Sequence, residues 1–221
     1  MPDDQTLQAL VMEELEWEPS FDAAHIGVAA KDGVVTLSGH VDSYAAKAAA
    51  ERAASRVRGV KAIAEEIEVR LPEDHKHSDT EIAERALRIL GWDVEVPADR
   101  IQVKVEHGVV ALTGDVEYYF QKASAEADVR RLGGVRGVVN LIRVGPGPAP
   151  ASDPATVREK IASALQRNAE VEATHIAIGV DGRRVRLSGT VRTWGERQMA
   201  EAAARSAPGV LEVNNEITVR P

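Results

Sequence analysis

The sequence contains no cysteine, and its 221 residues include only eight aromatic side chains (three Trp, three Tyr and two Phe). Without cysteine the chain has neither disulfides nor thiol chemistry. No apolar run approaches the ~20 residues that are needed to span a membrane. The N-terminus has neither the basic region nor the continuous apolar segment of a signal peptide. We therefore expect a soluble, cytoplasmic protein without a transmembrane segment.

Basic residues are also in deficit, since 27 Lys and Arg stand against 35 Asp and Glu, for a net charge of −8. The imbalance is uneven along the chain. Residues 1–72 carry a net −6, residues 78–146 a net −2 and residues 152–221 a net +1. An acidic chain is a poor nucleic-acid binder, so we exclude nucleic acid as a partner. Only the last third has a charge that tolerates an anionic ligand.

What the sequence does have is an internal repeat of 75 residues. The stretches GVVTLSGHV at 33–41, GVVALTGDV at 108–116 and RRVRLSGTV at 183–191 are nearly alike. Two glycines recur at this spacing, first as Gly39, Gly114 and Gly189, and later as Gly59, Gly134 and Gly209. A period this long predicts small domains with their own cores. We assign repeat 1 to 1–72, repeat 2 to 78–146 and repeat 3 to 152–221, with a charged linker at 73–77 and a Pro-rich linker at 147–151.

Each repeat has the same order of patterns. An apolar stripe at helical spacing, such as Leu7, Val11 and Leu15, comes first, and two alternating runs around a Gly-containing turn then predict a β-hairpin. An Ala-rich helix and a third strand follow. We predict an α+β fold of three tandem α-β-β-α-β domains, each with a mixed three-stranded sheet covered by two helices. The repeated glycines are interpreted as turn and helix-cap residues.

The pattern L-[ST]-G-x-V, followed by an Ala-rich helix and a G-V strand, resembles the BON domain (bacterial OsmY and nodulation domain). The matching segments are 37–41 with 59–60, 112–116 with 134–138, and 187–191 with 209–214. Repeat 1 has Glu65 where the other repeats have Asn140 and Asn215. The resemblance implies a non-enzymatic protein of envelope maintenance or osmotic and stress protection, with phospholipid binding as a proposed activity.

Aromatic residues at the start of each second helix are the first candidate contact site. Tyr44, Tyr119 and Trp194 recur at 75-residue spacing, and Tyr118 and Phe120 add to them in repeat 2. They either cover the end of their own sheet or meet a membrane interface or a partner. Because three consecutive aromatics cannot share one helix side, segment 118–120 is the favoured partner surface.

A basic cluster near the third hairpin is the second candidate. It consists of Arg183, Arg184, Arg186 and Arg192. Strand alternation places Arg184 and Arg186 on one face, where they are either solvated or paired with phosphate or with an acidic protein. The acidic residues of repeat 1 supply such a surface, so head-to-tail association between copies is electrostatically reasonable.

The remaining candidate residues give weaker evidence of a function. Trp17 and Trp92 align with each other and with Arg167, and we expect both tryptophans to pack in a core or between repeats. His75 and His77 lie among carboxylates in a linker whose composition favours solvation, so we predict no metal and no cofactor. No nucleophile–base pair or nucleotide-binding fingerprint is present, and we predict that the chain is not an enzyme.

These observations lead to one functional hypothesis and one alternative. The hypothesis is a multivalent binding or scaffolding protein, related to stress or the envelope, whose ligand is a phospholipid or a protein. The alternative is a structural protein that assembles into homo-oligomers through repeat 1 and repeat 3.

Overall fold

The structure is a computed structural model that describes residues 3–73, 77–145, 153–167 and 175–220. The predicted fold class is confirmed, since each repeat forms a helix, a hairpin, a second helix and a third strand. The elements of repeat 1 are α1 (Asp4–Trp17), β1 (Ile26–Lys31), β2 (Val34–Val41), α2 (Tyr44–Arg56) and β3 (Ala62–Val69). Those of repeat 2 are α3 (Asp79–Trp92), β4 (Ile101–Glu106), β5 (Val109–Val116), α4 (Tyr119–Arg130), β6 (Gly137–Asn140) and β7 (Arg143–Val144). Those of repeat 3 are α5 (Pro154–Arg167), β8 (Ile176–Asp181), β9 (Arg184–Val191), α6 (Trp194–Arg205) and β10 (Glu212–Val219).

The second strand of each repeat lies at the centre of its sheet. It pairs antiparallel with the first strand through the hairpin, and in repeats 2 and 3 it pairs parallel with the last strand. In repeat 2 the predicted third strand is divided into β6 and β7, but the Leu141 N–H still donates to the Leu112 carbonyl at 2.8 Å, so the ladder continues. Backbone bonds that open the third strand recur at 75-residue spacing, from Lys61 to Gly33, Arg136 to Gly108 and Leu211 to Arg183.

The first helix of repeats 1 and 2 is tied to the hairpin turn by a carboxylate. In repeat 2 both oxygens of Asp79 accept hydrogen bonds, from the backbone N–H groups of His107 (2.8 Å) and Gly108 (2.9 Å). These bonds hold the pKa of Asp79 below its ordinary value, Gly108 contributing most. In repeat 1 Asp4 accepts from the Asp32 N–H at 2.9 Å. Both turns, Asp32-Gly33 and His107-Gly108, have positive φ at both residues, as two-residue type I′ hairpin turns require.

The core of each repeat lies between its helices and the inner face of its sheet. The apolar stripe of the first helix is fully buried in each, as in Ile82, Ala86 and Leu90 of α3. These side chains meet the alternate residues Val110 and Leu112 of the central strand. The second helix contributes mostly alanine, which lets it lie close to the sheet.

Three glycines at 75-residue spacing are required by the backbone. Gly39, Gly114 and Gly189 have φ of 113°, 141° and 127°. A Cβ on Gly114 would lie 2.1 Å from the carbonyl oxygen of Arg100, and the equivalent distances at the other two glycines are 2.0 and 1.9 Å. A side chain there would overlap a backbone atom that is fixed by the strand pairing, so the backbone has room only for glycine at these three positions.

The asparagine shared by repeats 2 and 3 joins the last strand to the second helix. The Asn140 amide donates to the Lys122 carbonyl (2.9 Å) and to Glu126 (3.0 Å), and its oxygen accepts from the Ile142 N–H (3.2 Å). Asn215 makes the same three bonds in repeat 3. In repeat 1 Glu65 accepts the equivalent local bond from the Ile67 N–H at 2.6 Å.

The chain folds into two compact units. One contains repeat 3 with the parts of repeat 1 up to Gly39 and from Ala49 to Ile67, and within it Gly195 approaches Ser55. A Cβ on Gly195 would lie 3.2 Å from the Ser55 carbonyl oxygen. Ser55 is buried and stands where repeats 2 and 3 have Arg130 and Arg205, so small residues on both sides permit this approach.

The other compact unit contains repeat 2 with His40–Ala48 and the segment of repeat 1 that begins at Glu68. Within it the ring of Tyr44 packs against the hydrophobic core of repeat 2. The ring is therefore partly buried in this unit.

The close approach at Gly114 generates a prediction with an internal control. Gly114→Ala is expected to lower the free energy of unfolding by at least about 2–3 kcal/mol, because the methyl group meets the Arg100 carbonyl at a positive φ. Gly91→Ala in α3 of the same repeat has nothing within 4 Å of the new Cβ. It is expected to stabilise by up to about 1 kcal/mol through helix propensity. Urea denaturation of both variants measures the difference, and equal stabilities would contradict the role given to Gly114.

Candidate functional site

Two tryptophans at the ends of equivalent helices are the most exposed large aromatics among the described residues. Trp17 ends α1 and is 83% exposed, and Trp92 ends α3 and is 81% exposed. The expectation that they pack in a core or between repeats was wrong. Each follows the last buried leucine of its helix by two residues, which is a rotation of about 200°. The side chain therefore leaves the helix on the side opposite the core.

Acidic residues flank both tryptophans in the sequence, and exposed apolar residues lie near Trp92 in the chain. Trp92 is followed by Asp93 and by Val94, which is 100% exposed, and Leu87 on the same helix is 55% exposed. Trp17 lies between Glu16 and Glu18. Isolated exposed apolar residues are ordinary, but an aromatic with apolar neighbours at a helix end is typical of a contact surface. We call Trp17 and Trp92 with their flanking carboxylates the acidic tryptophan ends.

Carboxylates crowd together behind the tryptophan end of repeat 2. Burial, together with the charge and hydrogen bond of Asp93, raises the pKa of Asp128 to about 6. One oxygen of Asp128 is buried and has no hydrogen-bond partner. Glu95 adds further negative charge, and it accepts a hydrogen bond from Ser124 at 3.0 Å. Arg131 offsets part of this negative charge, and the pKa of Asp128 is raised in spite of it.

In repeat 1 a cation already neutralises part of the corresponding charge. Arg56 on α2 donates to Glu14 at 2.9 Å and to Glu18 at 3.3 Å. These bonds raise the pKa of Arg56, although burial works against them. Glu13 and Glu16 are exposed beside this pair. The Trp17 end therefore stays acidic on its outer side.

The aromatic residues expected at the partner surface are only partly exposed. Tyr44 packs against the core of repeat 2. Tyr118 stacks on Phe120 with 5.7 Å between ring centroids, and Phe120 is 46% exposed. The Arg197 guanidinium lies over the Trp194 ring at 4.8 Å. A binding role for these residues and for Tyr119 stays a prediction, with Phe120 the most accessible of them.

The predicted basic cluster is largely paired with acids of its own sheet. Arg184 lies 2.7 Å from Glu212 and Arg186 lies 2.7 Å from Glu216, across the parallel pair of β9 and β10. Glu216 raises the pKa of Arg186. Neither Arg183 nor Arg192 is free of contacts. Their binding role stays a prediction, but the charge that they offer to an outside partner is smaller than the sequence indicates.

A groove between the helices of repeat 3 was missed by the sequence interpretation. It has a volume of about 630 Å³ and lies between α5 and the C-terminal end of α6. It is lined by Ala164, Ala203 and Ala207 and by the charged residues Glu159, Lys160 and Arg167. Alignment of the repeats at 75-residue spacing could have indicated the groove. At the three alanine positions repeat 2 has the larger residues Ile89, Asp128 and Leu132.

No group of three His, Asp or Glu residues in the described part of the chain is arranged to hold a metal ion. His77 lies beside Gly133 in repeat 2, whereas His75 is outside the described residues. Of the helices in the described ranges, none has both the length and the apolar character to cross a bilayer.

Fold and site together define a tandem-repeat α+β protein with exposed acidic tryptophan ends. The family profile of the BON domain matches the chain three times, over residues 3–70, 78–146 and 152–221. The chain therefore belongs to the BON-domain family. It is also similar to the osmotically-inducible protein Y of Escherichia coli (strain K12), with 29% identity over 146 residues that cover 64% of this chain and 72% of that protein.

Similarity to solved structures is weak. Two structures of CdsD, a structural protein of the type III secretion system of Chlamydia trachomatis, align with 13% identity and TM-scores of 0.28 and 0.27. The first alignment covers 96% of this chain and 91% of that chain, and the second covers 100% of both. Likeness at this level carries no argument about the present protein.

The carboxyl cluster of repeat 2 predicts a pH-dependent stability. Since the pKa of Asp128 is raised in the folded state, the folded protein binds this proton more tightly than the unfolded chain, and stability is lost as the pH rises from about 4 through about 6. Asp128→Asn removes the charge and is expected to stabilise by about 1 kcal/mol above pH 6, after allowance for solvent screening, and by little at pH 4.

The matched control is Asp115→Asn, which removes an exposed carboxylate that is paired with Arg143 at 2.8 Å. This variant is expected to show no gain above pH 6. Thermal unfolding of both variants between pH 4 and 8 checks the prediction. A gain for Asp128→Asn that is the same at every pH would contradict it.

Proposed function

We propose that this chain is a non-enzymatic, multivalent binding protein of stress or envelope physiology, and that its acidic tryptophan ends bind zwitterionic phospholipid headgroups. The observation that carries the proposal is the exposure of Trp17 and Trp92 at equivalent positions of two repeats. BON-domain membership and the similarity to an osmotically-inducible protein support the physiological part.

The chemistry of the tryptophan ends supports a headgroup that is cationic at its outer end. Indole side chains favour the membrane–water interface, where an apolar ring and a polar N–H are both satisfied. The face of an indole also attracts quaternary ammonium groups such as choline. The carboxylates beside Trp17 and Trp92 add attraction for an ammonium group and repulsion for a phosphate without one. Anionic lipid is therefore the poorer ligand. Each carboxylate held near an anionic membrane surface is expected to lower the binding free energy by about 1 kcal/mol.

Repetition supports a multivalent mode of binding. One interfacial indole is a weak anchor, but two on one chain act at a high effective concentration once the first is bound. Loss of either tryptophan then weakens binding much more than the removal of one independent contact. A protein partner with a basic and apolar surface satisfies the same chemistry, and lipid-free binding to such a partner is the competing outcome.

Self-assembly through repeat 1 and repeat 3 is a second candidate function. The net charge of −6 on residues 1–72 against +1 on residues 152–221 favours it, since opposite charge brings such surfaces together. The groove of repeat 3 adds a shaped surface to this argument. Assembly that covers the Trp17 end leaves only Trp92 for a headgroup, so the two functions compete for Trp17.

Vesicle co-sedimentation tests the lipid proposal. Phosphatidylcholine vesicles are expected to bind the wild-type protein, and replacement of a third of the lipid by phosphatidylglycerol is expected to weaken binding. Trp17→Ala and Trp92→Ala are each expected to weaken it at least fivefold, and the double variant to abolish it. Trp194→Phe is the matched control, because this ring already lies under Arg197. Equal binding by the double variant, or stronger binding to anionic vesicles, would contradict the proposal.

A further inference from the structure

The groove of repeat 3 exists because this repeat has small residues where the other repeats have large ones. Ala164 stands in place of Ile89 and Glu14, and Ala207 stands in place of Leu132 and Val57. The order of helices and strands is the same in all three repeats, so the smaller side chains widen the open groove between α5 and α6, whose volume is about 630 Å³. This volume is in the range of ligand-binding clefts.

The groove is mainly apolar, with two basic residues and one acidic residue in its lining. Ala164, Ala203, Pro208 and Ile161 of the core line it, together with Glu159. Lys160 and Arg167 are exposed side chains at its walls. An occupant that fits this groove has an apolar side chain of large area, flanked by carboxylates.

The Trp17 end of repeat 1 has both properties, a large apolar side chain and flanking carboxylates. Trp17 is 83% exposed, so its own chain does not cover it. An indole buries roughly 150–250 Å² when it enters a pocket, about the largest apolar area of any side chain. Glu13 and Glu16 lie exposed on the same helix, and repeat 1 is the most acidic of the three repeats. Charge complementarity selects the Trp17 end in preference to the Trp92 end, because α3 has Arg88 and Gly91 at the positions of Glu13 and Glu16.

We propose that Trp17 of one copy of this chain inserts into the α5–α6 groove of repeat 3 in a second copy, with Glu13 and Glu16 facing Lys160 and Arg167. This inference rests on the second candidate function above and names its two surfaces. Because donor and acceptor surfaces differ, the contact is heterologous. It propagates head to tail unless the geometry closes it into a ring or a reciprocal dimer.

Variants of either surface test the contact. Trp17→Ala removes the inserted side chain, and the double substitution Ala164→Ile with Ala207→Leu fills the groove with the residues that repeat 2 has at these positions. The fold of repeat 2 accommodates these residues, so the filled variant is expected to fold, which its thermal melt checks. Trp92→Ala is the matched control on the equivalent helix end.

Sedimentation velocity over a range of concentrations, without lipid, measures the association. The wild type and Trp92→Ala are expected to associate, whereas Trp17→Ala and the filled variant are expected to associate at least tenfold more weakly. Raising the salt from about 50 to about 500 mM is expected to weaken wild-type association, because the flanking charges are exposed. A monomeric wild type at all concentrations, or association that neither variant weakens, would overturn the proposal.

A mixing experiment separates a head-to-tail contact from any other mode of association. Trp17→Ala retains the groove, and the filled variant retains Trp17, so an equimolar mixture contains one intact contact. The mixture is expected to form a 1:1 complex that neither variant forms alone. Absence of this complex would overturn the proposal even if each variant is monomeric. Since no lipid is present, failure here leaves the vesicle result to be judged separately.

Discussion

The close approach of a glycine to a carbonyl group is the constraint on which the rest of the structure depends. In each repeat the central strand passes so near the residue before the first strand that a Cβ would lie about 2 Å from its carbonyl oxygen. Only glycine fits there, and only glycine adopts the required positive φ without strain. This contact fixes the register of the hairpin, and the hairpin sets which side chains of the central strand face the helices. Because each repeat needs this glycine at the same place in its fold, the glycines recur at the 75-residue spacing of the repeats.

With the interior fixed in this way, the three repeats differ on their outer surfaces. On the exposed face of the central strand repeat 3 has Arg184, which pairs with Glu212, where repeat 2 has Val109. On the helices, Trp17 and Trp92 occupy the position of Arg167. In the described part of the chain the repeated fold thus presents two acidic tryptophan ends and a groove with Lys160, Arg167 and Glu159 in its lining. These are the surfaces that we propose to act in binding.

Much of the fold followed from local patterns, whereas much of the site did not. The buried stripe Leu7, Val11 and Leu15, the hairpin and the glycine positions were predicted because period and turn chemistry are local properties. The exposure of Trp17 could have been predicted as well, since its rotation of about 200° from Leu15 is also local. The pairing of Arg186 with Glu216 could not, because it depends on the register of a parallel strand 30 residues away. The groove depends on two helices that are far apart in the sequence, and only comparison between repeats indicates it.

Both proposals require Trp17 and Trp92 to lie in solvent in the free chain. Acrylamide quenching of tryptophan fluorescence in the Trp194→Phe variant measures this exposure, at a protein concentration low enough for sedimentation to show monomers. Quenching close to that of free tryptophan is expected for both remaining residues. Emission that acrylamide quenches poorly in the monomer would contradict both proposals, because Trp17 and Trp92 would then be covered by their own chain.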